Sequence, residues 1–288
     1  MALYRHFTSQ EALNAEYDVG RSVTNFPAII DFYMRESARV REDLPSDLDV
    51  PYGPTRAEHL DIFRAERPAA PILIFFHGGY WRSLSSKEYN LVARGPVSAG
   101  VTTLLVNYAL CPDVTIEEIV RQARAAVAWA YRNAASFGGD RNRIYVAGHS
   151  AGGHLAAMAM QTDWEADYGL PADVIKGGCV VSGLFDLAPL PYTFVQQSLQ
   201  LTWREVLRNS PILHLPDRAA PLLVSYGGHE PGEFRRQSDA FLEAWQAKGL
   251  DGTFIPQPER HHFNAIADFM DATSPLCSAL LRMMQVVR

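Results

Sequence analysis

The order of its apolar runs constrains this chain more than any other feature. Seven short β-rich stretches alternate with longer helical ones: HLDIFRA (59–65), PILIFFHG (71–78), TTLLVNY (102–108), RIYVAGH (143–149), GGCVVSG (177–183), APLLVSYG (220–227) and GTFIPQ (252–257). This alternation predicts an α/β fold, a mostly parallel central sheet flanked by helices on both faces. The segment 115–139 reads as a long amphipathic helix. Ile116, Ile119, Val120, Ala123, Val127 and Ala130 recur at three- and four-residue steps, and Gly138 and Gly139 close it.

Two regions break the alternation. Residues 1–50 carry a Pro-interrupted helical pattern before the first strand, and residues 184–216 form a Pro-rich, aromatic insertion where a plain crossover would be shorter. Both are expected to cover a pocket, as a small lid on a single domain spanning 1–288. The charged run 39–49 is expected to be a solvated face.

With 288 residues, 48% of them hydrophobic and 20% charged, the chain can bury one sizeable core. A net charge of −6 and the lack of any Lys/Arg cluster argue against nucleic acid or an anionic membrane as partner. Cys111, Cys179 and Cys277 are odd in number and scattered, which suits reduced packing thiols in a cytoplasm. No run approaches the roughly 18 apolar residues of a membrane span. The chain is therefore expected to be soluble and cytoplasmic.

The strand 143–149 runs directly into GHSAGGHLAA (148–157), so Gly148-His149-Ser150-Ala151-Gly152 lies at a strand-to-helix junction. A serine forced into a tight turn there projects its hydroxyl away from the sheet, and the flanking positions must be glycine because side chains would collide. The pentapeptide alone is a weak signal, and its place between a β-branched strand and an Ala-rich helix strengthens it. A dinucleotide-binding turn is excluded, because Ser150 stands where the G-x-G-x-x-G pattern needs glycine.

A nucleophilic serine also needs backbone N–H donors for the oxygen that becomes negative in the tetrahedral intermediate. Ala151, after the nucleophile, is one expected donor, and the bare backbone of Gly78 and Gly79 in HGGYW (77–81) supplies the rest. In this reading Tyr80 and Trp81 wall the pocket, and His77 braces the loop. His77, His149 and His154 show no metal-ligand spacing. Neither a metal nor a cofactor is called for.

HGGYW, NYALCP (107–112), GHSAGGHLAA, SGLFDL (182–187) and EFRRQS (233–238) together resemble the kynurenine formamidase (arylformamidase) group of α/β-hydrolases, close to the hormone-sensitive-lipase-like esterases. The resemblance covers roughly residues 50 to 270, and HGGYW is its specific part, with Tyr80 where most lipases and esterases have a third glycine. In that fold the triad order is Ser, acid, His. Either His261 or His262 could be the base; His262, preceding Phe263, matches the family's Asp-His-Phe segment. Among Glu230, Glu233 and Asp239, strand-end geometry favours Glu230. The family motif agrees on position, although the family usually has Asp there. Asp239 reads as a solvated helix residue and Glu233 as a pin for the following helix.

The resemblance implies hydrolysis of a small N-acyl group, formyl above all, from an aromatic amine of the N-formylkynurenine type. Ser150 would attack, His262 would relay the proton, and Glu230 would orient the imidazole. Tyr80, Trp81, His149 and Phe263 are the expected substrate-contacting residues, with Tyr192, Phe194, Trp203 and Arg82 as further candidates. Short-chain carboxylesters, acetylated aryl amines and a non-catalytic receptor role stay open. So does a homodimer.

Overall fold

The computed structural model describes residues 2–287. Eight strands form one sheet: β1 (Ser46–Pro51), β2 (His59–Phe63), β3 (Ala70–Phe76), β4 (Thr102–Val106), β5 (Gly139–His149), β6 (Ile175–Val181), β7 (Leu222–Gly227) and β8 (Gly252–Gln257). Their spatial order is β1-β2-β4-β3-β5-β6-β7-β8. β1 and β2 run antiparallel to their neighbours, and all other pairs are parallel. Every residue of β3 and β4 is buried, as a strand covered on both faces must be.

One strand escaped the sequence reading. β1, SDLDVP, is short and polar, with no apolar alternation to mark it, and it exists only as an edge strand paired to β2. The run 39–49 is therefore partly solvated helix end and partly sheet edge. The segment 115–139 also divides: a helix spans Ile116–Asn133, capped by Thr115 accepting from the Glu118 N–H at 3.2 Å, then a 3₁₀ turn runs to Phe137 and β5 begins at Gly139.

The register places the functional loops. Phe76 lies opposite Gly148, His149 opposite Val181, Val181 opposite Ser225, and Gly227 opposite Gln257. The C-terminal ends of β3, β5, β6, β7 and β8 therefore form one edge, where open α/β sheets place their ligands. Residues 1–50 supply two helices, α1 (Gln10–Tyr17) and α2 (Phe26–Asp43), and Tyr33, Ser37 and Val40 form the buried stripe of α2 at helical spacing. A single turn of helix, α3 (Ser86–Tyr89), follows the HGGYW loop under a capping box from Ser85 and Glu88. The three cysteines are free and buried. Among the described residues no helix is long and apolar enough to cross a membrane.

Candidate active site

Ser150 sits at φ 56°, ψ −119°, left-handed backbone that a non-glycine residue rarely adopts. Holding it there costs on the order of 1–3 kcal/mol. The Ser150 N–H, donated to the Val181 carbonyl at 2.9 Å, pins the turn to β6. The flanking glycines are required by close approach: a Cβ on Gly148 would overlap the Gly152 carbonyl, and one on Gly152 would overlap the Phe76 carbonyl. Ala151 opens a fully buried helix, Ala151–Met160, so its N–H is one of the first-turn donors without an intrahelical acceptor.

The loops after β7 and β8 bring an acid to a base. Gly228 N–H donates to Gln257 O and His229 N–H to Arg260 O, both at 2.9 Å, which zips the two loops together. Glu230 and His262 then meet, with Glu230 Oε2 2.7 Å from His262 Nδ1. The other carboxylate oxygen accepts from Ser182 Oγ at 2.5 Å and from the Gly227 N–H at 2.7 Å. Both side chains are almost wholly buried, at 4% and 2% residue exposure. A carboxylate can only accept, so Nδ1 carries the proton and Nε2 is left as the basic nitrogen. The imidazole is wedged between Phe234, at 4.6 Å between centroids, and His149, at 4.7 Å.

The rejected alternatives have other partners. His261 Nδ1 accepts from the Phe263 and Asn264 N–H groups and so shapes the base loop. Glu233 pairs with Arg236 at 2.7 Å and accepts from Tyr17 Oη, pinning its helix as anticipated. Asp239 accepts from Tyr226 Oη.

In the HGGYW loop, His77 stacks on Tyr108 with centroids 4.0 Å apart, and its Nδ1 donates to Gly78 O at 2.7 Å. Burial pushes His77 down to about 4, so it stays neutral and braces the loop. Gly79 adopts φ +111° where any Cβ would overlap Ser83 O, and it lines the cavity beside Ser150. Gly78 sits beside it, where a Cβ would stand 2.7 Å from Tyr89 Oη and 3.1 Å from the His149 carbonyl oxygen. Tyr80 and Trp81 are both left-handed, at φ 50° and 54°. This reversal turns Tyr80 into the cavity, where its hydroxyl donates to Tyr17 O at 2.6 Å. Trp81, expected as a pocket wall, is fully buried instead, edge-on to His154 with centroids 4.9 Å apart.

The cavity holding Ser150 and His262 encloses about 450 Å³. Tyr80, Phe263, Phe194 and Tyr17 give it aromatic walls, Phe26 and Ile30 add apolar surface from α2, and Arg82 stands at its edge. Residues 17–30 and Phe194 thus come from the two regions that break the sequence alternation. Tyr192 and Trp203 do not line it; they pack on each other 6.1 Å apart, with Trp203 largely exposed. A second cleft of about 470 Å³ lies behind the base loop against His229 and His261, without Ser150 or His262. The one cluster of metal-ligand type among the described residues, Asp49, His59 and Asp61, lies on β1 and β2 and already holds the Lys87 ammonium at 2.6–2.7 Å.

Residues 73–265 match the model of a family described by its alpha/beta hydrolase fold. The chain belongs to the α/β-hydrolases. Within them it is kynurenine-formamidase-like: it is 34% identical to the kynurenine formamidase of Danio rerio over 85% of this chain and 84% of that one. It is also 30% identical to the esterase LipQ of Mycobacterium tuberculosis, over 74% of this chain and 56% of that one. A crystal structure of a candidate thioesterase from Silicibacter sp. TM1040 superposes with TM-score 0.82 at 30% identity, covering 92% of this chain and 97% of that one. This α/β-hydrolase is an enzyme acting on small molecules, of the formyl-amine or ester class.

Four supporting residues were not found from sequence. Ser182 lies in the SGLFDL segment at the end of β6, next to the nucleophile's strand, and that adjacency was the available signal. Gly227, Tyr33 and Tyr89 belong to no chemical motif, and only the fold brings them to the site.

Proposed function

We propose that this α/β-hydrolase removes a small N-acyl group, formyl above all, from an aromatic amine through an acyl-enzyme on Ser150. The observation that carries the reading is the buried Glu230–His262 pair opening onto the same aromatic cavity as the strained Ser150. Ser150 Oγ attacks the acyl carbon while His262 Nε2 takes its proton. The N–H groups of Gly78, Gly79 and Ala151 stabilise the oxyanion. His262 returns the proton to the departing nitrogen, and a water then repeats the sequence to release the acid. An anilide nitrogen shares its lone pair with the ring, so it leaves more readily than an alkyl amine once protonated. The aromatic walls suit such a ring. Residues 17–30 and the insertion 184–216 act as the cover that excludes water.

Likeness to LipQ and to the candidate thioesterase favours a second reading, hydrolysis of short-chain esters or thioesters by the same groups. Fluorophosphonate labelling tests what both readings share. Label on the Ser150 peptide, and its loss in Ser150→Ala together with all turnover, supports a serine hydrolase; an unlabelled Ser150 with intact turnover removes both readings and leaves another chemistry or a receptor role to be sought.

A further inference from the structure

His149 was expected to touch substrate, and its ring does border the cavity, yet both of its nitrogens are already engaged. Nε2 lies 2.8 Å from the backbone oxygen of His262. A carbonyl only accepts, so Nε2 carries a proton and donates. The ring is buried, and burial, with His262 beside it, holds His149 well below the ordinary imidazole range, so it is neutral. Its Nδ1 is then a lone pair, and the group facing it at 3.1 Å is Tyr89 Oη, which must be the donor.

Two hydrogen bonds therefore run in one direction, Tyr89 O–H to His149 and His149 N–H to the His262 carbonyl, while Tyr89 packs against the HGGYW loop, its ring centroid 5.9 Å from that of His77 and its hydroxyl 2.7 Å from where a Cβ on Gly78 would stand. The second ends on the loop that carries the base, and His149 is bonded in sequence to the nucleophile. Tyr33 extends the same frame, meeting Tyr89 edge-on at 5.5 Å and donating its hydroxyl to the next carbonyl, Phe263 O. Two consecutive carbonyls of the base loop are thus fixed by side chains from β5 and α2.

We propose that Tyr89 and His149 are positioning residues, a polarised relay that sets the base loop against the oxyanion loop. The inference rests on the triad reading above. Both line the cavity, but their polar atoms are taken up by each other and by the His262 carbonyl. Their effect is on how well Ser150, His262 and Gly79 are held at once, which a transition state senses more than a bound ground state does.

The test compares Tyr89→Phe, His149→Gln, His149→Asn and the double variant Tyr89→Phe/His149→Asn in the full chain, reading kcat, KM and melting temperature on the best small substrate. Tyr89→Phe keeps the ring and loses the relay's first proton. It should lower kcat about three- to tenfold with KM within twofold and little change in melting temperature. Gln reaches the Nε2 position and can still donate to the His262 carbonyl, whereas Asn reaches only the Nδ1 position, so His149→Gln should retain more activity than His149→Asn. The double variant should cost no more than His149→Asn alone, as residues acting as one unit do. Wild-type kcat in Tyr89→Phe, or losses that multiply in the double variant, would overturn the relay. Fluorophosphonate labelling separates the two failures: an unlabelled Ser150 in the parent protein sinks the triad reading, whereas a labelled Ser150 with an unaffected Tyr89→Phe sinks the relay alone.

Discussion

Ser182 Oγ donates to Glu230 Oε1 at 2.5 Å, from a residue that directly follows the strand paired with the nucleophile's own. Together with the Gly227 N–H it fills one carboxylate oxygen and leaves the other to His262 alone. The glutamate side chain is thereby held to one direction.

Ser182→Ala removes one of the two donors to that oxygen. Hydrogen bonds to charged groups contribute about 1.5–3 kcal/mol. We expect kcat/KM to fall roughly tenfold or more at unchanged substrate preference. Steady-state kinetics on two unrelated substrates checks this; a change in their ratio would mean that Ser182 contacts substrate instead.

Glu230→Gln keeps the shape and loses the charge that holds His262 Nδ1–H. A fall in kcat on the order of 10³ to 10⁴ is expected, the scale seen when a triad acid becomes an amide. Glu230→Asp keeps the charge and shortens the reach, so it should fall between Gln and the parent. An active Glu230→Gln variant would remove Glu230 from the triad.

Three buried imidazoles give the fold an acid limit. Burial depresses His77 and His154 to about 4 and His149 well below its ordinary range. The unfolded chain takes up protons on these residues below about pH 6.5, and the folded chain refuses them. Each therefore contributes stability that is present above about 6.5 and is lost as pH falls toward the folded values, at up to about 1.4 kcal/mol per pH unit for each histidine. Denaturant midpoints should drop between pH 7 and pH 5, and His154→Gln should make the drop shallower. An unchanged slope in that variant would show that His154 does not contribute.

Arg82 rests against the Phe194 ring, 5.4 Å from its centroid, and against Ser198 Oγ at 3.4 Å, held by an aromatic face and a hydroxyl rather than a carboxylate. It borders the cavity. Arg82→Gln should raise KM for a formyl aryl amide bearing a carboxylate about tenfold and leave its uncharged counterpart nearly untouched. Equal effects on both would make Arg82 a solvated surface residue.

The sequence exposed what has a local cause. The buried strands announce themselves as apolar runs, and Gly148 and Gly152 flank Ser150 because a neighbouring carbonyl occupies the space of each Cβ. His262 was separable from His261 only through the family's Asp-His-Phe pattern, since both follow the last strand. What stayed hidden depends on distant pairing. β1 has no pattern of its own and exists through β2. Trp81 faces the core because two successive left-handed residues reverse the loop, and Tyr33 reaches the base loop and Tyr89 reaches His149 from positions that carry no motif.

Formyl aryl amide hydrolysis at Ser150 is tested first by kcat/KM for N-formylkynurenine beside its N-acetyl counterpart and a short-chain 4-nitrophenyl ester, with Ser150→Ala as control. The formyl amide should be preferred by several powers of ten, and the control should be inactive on all three. Preference for the ester or the acetyl anilide would contradict it, leaving the triad and oxyanion hole in place but moving the substrate to another aryl amide or ester.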